Sequence, residues 1–317
     1  MKTISAVIIT INNKDVVNAI DSVRTSCSQI VVVDTGSTQE HLGFLKQIEG
    51  IELHYFKWCE DFSAARNYGL QFANGDYILT IDSDEVLEKQ IHADKLEKDF
   101  YFVRQVSEKH SDVWSARLFK NKEGYYYENL VHETIEQYIT NDNYENTNIV
   151  LNHSGYSLNA NEYNEKVERN FRLMLRDKKN KVRNFHLGNF YFIKGNLRKS
   201  IKHYKKALND EINNEHKAMI YNNLYSVINV KGYWLKNPLE YLYKSIAIFP
   251  YQLQARVIIV EYLMNNITVS AIPFLKKQLE TIKNIYENKL SKLQCDIKLT
   301  NNYFQLKTKE LNKWQYQ

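Results

Sequence analysis

Asp82 and Asp84 stand one small residue apart at the end of an apolar run, Tyr77-Ile78-Leu79-Thr80-Ile81-Asp82-Ser83-Asp84-Glu85. A buried strand that delivers Asp-x-Asp to its exposed carboxyl end suits a hard divalent cation, which wants oxygen ligands from a fixed backbone. Magnesium sites often use one or two carboxylates and leave the other positions to water and substrate phosphates. The pattern therefore fits chemistry on a nucleoside diphosphate. By itself it also fits a solvated turn after a strand, so the rest of the chain has to decide.

Three further segments carry groups of the right kind. Thr10-Ile11-Asn12 ends an apolar stretch, and so does Asp34-Thr35-Gly36-Ser37-Thr38. In the second, Gly36 allows a tight turn, Ser37 or Thr38 can cap a following helix, and Asp34 is left to bond a ligand edge. A capped turn explains that segment equally well. The third is Phe62-Ser63-Ala64-Ala65-Arg66-Asn67. A guanidinium at Arg66 could pair with a diphosphate or hold Asp82, and two acidic clusters nearby favour an ionic role over an ordinary surface arginine.

These segments need elements to position them. Ser5–Ile11 and Gln29–Asp34 are short, β-branched and apolar on both faces, as central parallel strands are. Between them Val16, Val17, Ile20 and Val23 recur at helical spacing, giving a βαβ unit with a right-handed crossover. Ile51–Phe56 reads as a third strand. A helix is expected from an N-cap at Ser63 to Ala73, with Gly75 as its stop, followed by the Tyr77–Ile81 strand that leads to Asp82. Phe100–Val106, Val113–Phe119, Tyr125–Ile135 and Asn148–Asn152 are further strand segments, mixed or antiparallel. In an open α/β sheet, ligands bind beyond the carboxyl ends of the parallel strands, where Thr10, Asp34 and Asp82 all fall.

After Tyr156 the period changes to three and four, with little Gly or Pro. Leu187-Gly188, Tyr191, Gly195, Ser200, Tyr204 and Ala207-Leu208 have the spacing of a tetratricopeptide-type helical hairpin, in which small residues let two helices approach. A looser copy runs from Asn222 to Pro250, through Leu242 and Ser245-Ile246. Its offset is nearer 38 than 34 residues, which requires an insertion. An irregular helical bundle is the alternative. Residues 275–317 read as a terminal capping helix or pair.

Composition agrees with two modules. The chain has 317 residues, 44% hydrophobic and 25% charged, an ordinary globular balance long enough for two cores. The net charge of +5 conceals an asymmetry: residues 1–155 hold 14 Lys/Arg against 24 Asp/Glu, and residues 156–317 hold 28 against 13. The balances are −10 and +15. A basic module could attract an acidic peptide, a nucleic acid or an anionic membrane, although solvated lysine-rich helix faces explain it more simply. Its aromatics fall at core-like spacing rather than on a stacking platform, which argues against nucleic acid. Cys27, Cys59 and Cys295 form no metal or redox pattern and suggest a reducing compartment. Ile4–Ile11 is too short for a signal sequence, and no run approaches a membrane span. The expectation is a soluble, cytoplasmic protein with domains at 1–156 and 157–317.

Taken together, Thr10-Ile11-Asn12, Val32-Val33-Asp34-Thr35-Gly36-Ser37-Thr38, Asp61-Phe62-Ser63-Ala64-Ala65-Arg66-Asn67 and Leu79-Thr80-Ile81-Asp82-Ser83-Asp84-Glu85 resemble family-2 glycosyltransferases of the GT-A fold. The resemblance is closest to the branch with helical repeats after the catalytic domain, which includes the peptide S-glycosyltransferases that modify glycocin bacteriocins. It continues through Arg117-Leu118-Phe119-Lys120, Val131-His132-Glu133 and His153-Ser154-Gly155-Tyr156. Asn13 departs from the Glu often found there in the branch, and Gln39 from the Asp that commonly follows Gly-Ser-Thr.

The resemblance implies that Asp34 bonds a uracil-type base, with Thr10 and Asn12 lining the same pocket. It places Arg66, Asp82 and Ser83 on the nucleotide, Asp82 nearer the ribose. Asp84 would bind Mn²⁺ or Mg²⁺ bridging the phosphates, with Asp82 and His153 as further candidate ligands. For His153, a hydrogen-bonded histidine beside a turn at Gly155 is nearly as good an explanation. Inverting transfer to a hydroxyl needs a carboxylate base, a role assigned to Glu133 ahead of Glu128; His132 would serve the acceptor or orient Glu133. The donor implied is a UDP-sugar, and the acceptor a peptide or protein side chain held partly by the helical half. A cell-surface polysaccharide or glycolipid acceptor and an inactive GT-A/repeat scaffold are the competing functions. A homo-oligomer is compatible with the sequence.

Overall fold

The computed structural model describes residues 1–107, 112–153, 160–230, 238–266, 268–288, 290, 299 and 301–313. It divides into two compact units, Met1–Lys179 and Asn180–Gln317. The domain boundary expected after residue 156 lies among residues 154–159, outside the described residues.

The first unit is built on one eight-stranded sheet. Its elements run β1 (Ile4–Thr10), α1 (Val16–Val23), β2 (Gln29–Asp34), α2 (Gln39–Leu45), β3 (Glu52–Tyr55), α3 (Phe62–Leu70), β4 (Tyr77–Asp82), β5 (Glu85–Leu87), β6 (Phe100–Val106), β7 (Val113–Lys120), β8 (Tyr144–His153) and α4 (Ala160–Arg176). The strand order is β3-β2-β1-β4-β7-β6-β8-β5. β1 to β4 are mutually parallel, whereas β7 pairs antiparallel with both β4 and β6. Consecutive residues of the parallel strands serve opposite faces. Ala6, Ile8, Ile30 and Val32 pack with α1, while Val7, Val31 and Val33 join the core on the other side. Burial on both faces is why these strands read as unbroken apolar runs.

The chain order reverses between β1 and β4, so their carboxyl ends, Thr10 and Asp82, flank the crevice where such sheets take ligands. This mixed sheet is the GT-A arrangement expected from the sequence.

Four local expectations are corrected. The N-cap of α3 is Asp61, whose carboxylate accepts the Ala64 N–H at 2.9 Å; the Ser63 hydroxyl instead donates to the Asn129 carbonyl at 2.6 Å. α3 ends at Leu70, and Gly75 serves a different purpose. A Cβ there would stand 2.7 Å from the Ser5 backbone nitrogen, so glycine admits the start of β4 against β1. Tyr125–Ile135 is a loop whose Glu128 and Thr134 form an isolated bridge, not a strand. β5 was not anticipated, because three residues are too few to show a period.

Asn180–Gln317 is helical throughout its described part: α5 (Arg183–Ile193), α6 (Leu197–Ala207), α7 (Asn214–Val230), α8 (Leu239–Ile248), α9 (Gln254–Asn265), α10 (Ile272–Glu287) and α11 (Asn301–Lys313). A Cβ on Gly188 would run into the Tyr204 ring, and the Ser200 hydroxyl donates to the Gly188 carbonyl at 2.9 Å. Small residues thus bring α5 onto α6, as the hairpin spacing requires. Ser245 repeats the bond, donating to the Ala218 carbonyl of α7 at 2.9 Å. The looser second copy expected from Asn222 to Pro250 includes residues 231–237, which lie outside the described residues.

Candidate active site

Asp82 ends β4 between two arginines. Its Oδ1 accepts Arg66 Nη2 at 2.6 Å, and its Oδ2 accepts Arg117 Nη2 at 2.8 Å. Burial alone would raise the Asp82 pKa, but Arg117 and Arg66 outweigh it and hold the carboxyl well below the usual carboxylate range. Both oxygens therefore face guanidinium groups.

Arg66 reaches Asp82 because α3 lies unusually close to the sheet. A Cβ on Gly69 would stand 2.6 Å from Val7 Cγ1 and 3.0 Å from Val33 Cγ2, so only glycine permits this approach one turn beyond Arg66. The guanidinium is buried and sits 5.5 Å from the Tyr127 ring centre. Its Nε donates to Glu133 Oε1 at 2.7 Å. One side chain thus joins the aspartate at the end of β4 to the acid proposed as base.

Glu133 is carried by the loop that replaces the expected strand. Ser63 Oγ and the Phe62 N–H hold the Asn129 and Leu130 carbonyls, and the Leu130 N–H donates to Asp177 just beyond α4. Asn67 clamps Tyr127 twice, accepting its N–H at 2.7 Å and donating to its carbonyl at 2.9 Å. Asn129 and His132 adopt left-handed φ of 80° and 55°. Such backbone is uncommon outside glycine and clusters at functional loops. Glu128 is exposed and meets Thr134 through backbone bonds, so Glu133 is the loop carboxylate that Arg66 holds.

Asp84 stands 3.0 Å from His153 Nε2, at the end of β8. The hydrogen bond that His153 donates to Asp84 is the main reason its pKa is raised, against the opposing effect of burial. An oxygen and a nitrogen at this spacing fit a divalent cation that completes its shell with water and phosphate, provided His153 gives up its proton. Among the described residues no group of three or more His, Cys, Asp or Glu is gathered for a metal. Ser83 is latched by Asn13, whose Nδ2 lies 3.1 Å from Ser83 Oγ and 3.2 Å from its carbonyl. Asn13, which departs from the family pattern, therefore touches the carboxylate turn.

The β2 turn is similarly ordered. Asp34 is buried and accepts the Gly36 N–H at 3.1 Å and the Ser37 N–H at 3.1 Å. These bonds fix its orientation in the turn, and an ionised carboxylate has acceptor capacity beyond them. Thr38 is the helix cap. Asn12, with φ of 47°, donates its N–H to Ser37 Oγ and accepts the Thr38 N–H, both at 2.8 Å. The Thr10 hydroxyl is buried without a hydrogen-bond partner. A buried orphan beside a ligand crevice is the type of group a ligand satisfies. Ser154, Gly155 and Tyr156 lie outside the described residues.

Local sequence pattern gives Arg117, Gln105 and Ser115 no role in the site. A visible signal did exist for the first: an arginine interrupting the apolar β7 must be buried, and a buried arginine needs carboxylates.

The profile of glycosyl transferase family 2 matches residues 5–168, just over half of the chain. The chain belongs to glycosyl transferase family 2. This family-2 chain is 26% identical over 227 residues to the SPbeta prophage-derived glycosyltransferase SunS of Bacillus subtilis, covering 66% of the chain and 54% of that protein. It thus spans about half the length of SunS. It is also 31% identical over 124 residues to a TPR repeat-containing protein of Synechococcus elongatus, covering 36% of the chain and 30% of the relative. A solved structure of S. aureus TarS 1–349 in complex with UDP-GlcNAc aligns at a TM-score of 0.41 and 14% identity, covering 90% and 89% of the two chains. No described helix of the family-2 chain is long and apolar enough to cross a membrane.

Proposed function

We propose that this glycosyltransferase moves a sugar from a UDP-sugar to a peptide or protein side chain (Cys, Ser or Thr), with inversion at the anomeric carbon. The observation that carries the reading is the line from Asp84 through Asp82 and Arg66 to Glu133, at the switch point of a family-2 sheet. It combines a phosphate-side acid, a buried cation and a candidate base.

Thr10, Asn12 and Asp34 line the base pocket, and a nucleoside would satisfy the orphan Thr10 hydroxyl. Arg66 and Asp82 face the nucleotide, beside Ser83. Asp84 and His153 would hold Mn²⁺ or Mg²⁺, which supplies positive charge against the diphosphate. Glu133, whose Oε1 is engaged by Arg66, receives the acceptor proton. The bond from the anomeric carbon to the diphosphate oxygen breaks as the bond to the acceptor sulfur or oxygen forms on the opposite face, and UDP leaves. His132, next to Glu133, orients it or meets the acceptor. The resemblance to the peptide-modifying branch, the helical repeats and their +15 balance support a peptide acceptor.

The test is thermal. UDP with Mn²⁺ or Mg²⁺ should raise the melting temperature, by about 2.7 kcal/mol of stability at a hundred times Kd. Asp84→Ala should abolish the metal-dependent part. No shift with any UDP-sugar at saturating metal would falsify the nucleotide-sugar assignment. Transfer of the preferred sugar to a lipid-linked glycan but not to a Cys, Ser or Thr peptide would replace the acceptor.

A further inference from the structure

Glu85 is a carboxylic acid in the interior, only 1% exposed. Its Oε2 accepts the backbone N–H of Asp82 at 2.8 Å, so the turn Asp82-Ser83-Asp84-Glu85 is closed by a side chain. Its Oε1 accepts the Gln105 Nε2 and lies 3.9 Å from Arg117 Nη2, the nitrogen that also holds Asp82. Gln105 is fixed in turn, its Oε1 accepting Ser115 Oγ at 2.7 Å. Across β5 and β8 the backbone of Glu85 pairs with His153, whose imidazole meets Asp84.

Burying a carboxylate is expensive, and an apolar side chain would fill this place at lower cost. What Glu85 provides is a connection. It ties the end of β4 to β6 and β7 through its side chain and to β8 through its backbone. Asp84 lies inside the turn so closed. A binding carboxylate must be held to roughly 0.5 Å, and Glu85 gives this turn a bond from within the sheet beyond the Asn13 latch on Ser83.

We propose that Glu85 is a positioning residue for donor binding. By closing the turn from within the sheet, it sets where the Asp84 carboxylate stands against His153, and so how tightly the diphosphate of the donor is held. The inference rests on the nucleotide-sugar reading above.

Calorimetric titration of the full chain with UDP plus Mn²⁺, and separately with uridine, tests it. In Glu85→Ala the UDP affinity should fall about tenfold, the scale of one charge-assisted hydrogen bond, with uridine within about twofold of wild type. Glu85→Gln keeps an oxygen for the Asp82 N–H and should recover part of the loss, and in turnover KM should rise more than kcat falls. Gln105→Ala leaves the turn sequence intact and should weaken UDP selectively as well, which covers the case in which Glu85→Ala does not fold. UDP affinity unchanged in the folded variants, or UDP and uridine weakened equally, overturns the inference. If wild type binds neither ligand, the nucleotide-sugar reading fails with it; if wild type binds UDP and the variants match it, only the positioning role fails.

Discussion

Arg66 and Asp82 are sixteen residues apart in sequence and 2.6 Å apart in space, in a side-chain ion pair where the arginine is 4% exposed. The same guanidinium holds Glu133, so the carboxylates of Asp82 and Glu133 share one cation.

Removing that cation should be costly. Arg66→Ala leaves two partly buried carboxylates without their shared partner, and a loss of about 3–5 kcal/mol is expected in chemical denaturation. Arg66→Lys, a single point charge, should restore some stability but not the simultaneous hold on Asp82 and Glu133. Equal stability of Arg66→Ala and wild type would show that the network contributes nothing.

Stability should respond to acid through Asp82. Its folded pKa lies below the unfolded value of about 3.9, so the unfolded state takes up its proton first. The contribution is fully present above that value and disappears as pH falls through the folded pKa. The stability difference between wild type and Asp82→Asn should therefore be flat above about pH 5 and shrink steadily below pH 4. A difference that grows in acid would contradict the sign.

Gly69→Ala places a methyl 2.6 Å from Val7 Cγ1. Overpacking of this kind costs about 1–3 kcal/mol. Because α3 must move outward with Arg66 on it, activity should fall more than Tm suggests. Wild-type activity at reduced Tm would separate the packing of α3 from the placement of Arg66.

His132 tests the Glu128–Thr134 loop. His132→Gly accepts a φ of 55° freely and should be more stable than His132→Val, which loses about 1–3 kcal/mol through backbone strain. Activity lost in the folded glycine variant would assign the imidazole a part in transfer. Activity retained would leave it a backbone role.

Much of the parallel half was legible from local signals. Apolar runs buried on both faces gave away β1, β2 and β4, and the helical period gave away α1, so Thr10, Asp34 and Asp82 could be placed at strand ends from sequence. The spacing of Gly188, Ser200 and Tyr204 likewise determined a close helix pair, since only small residues let two backbones approach. Tertiary structure decided which charges meet. Nothing local says that Arg117 on β7 shares Asp82 with Arg66, that Gln105 and Ser115 brace Glu85, or that a loop and not a strand brings Glu133 to Arg66. Those contacts join residues far apart in the chain through antiparallel strands and a loop with left-handed turns, where neither periodicity nor propensity carries the information. The sequence determined which groups were available for chemistry, and only the packing of β4 to β8 and α3 decided which of them hold one another in place.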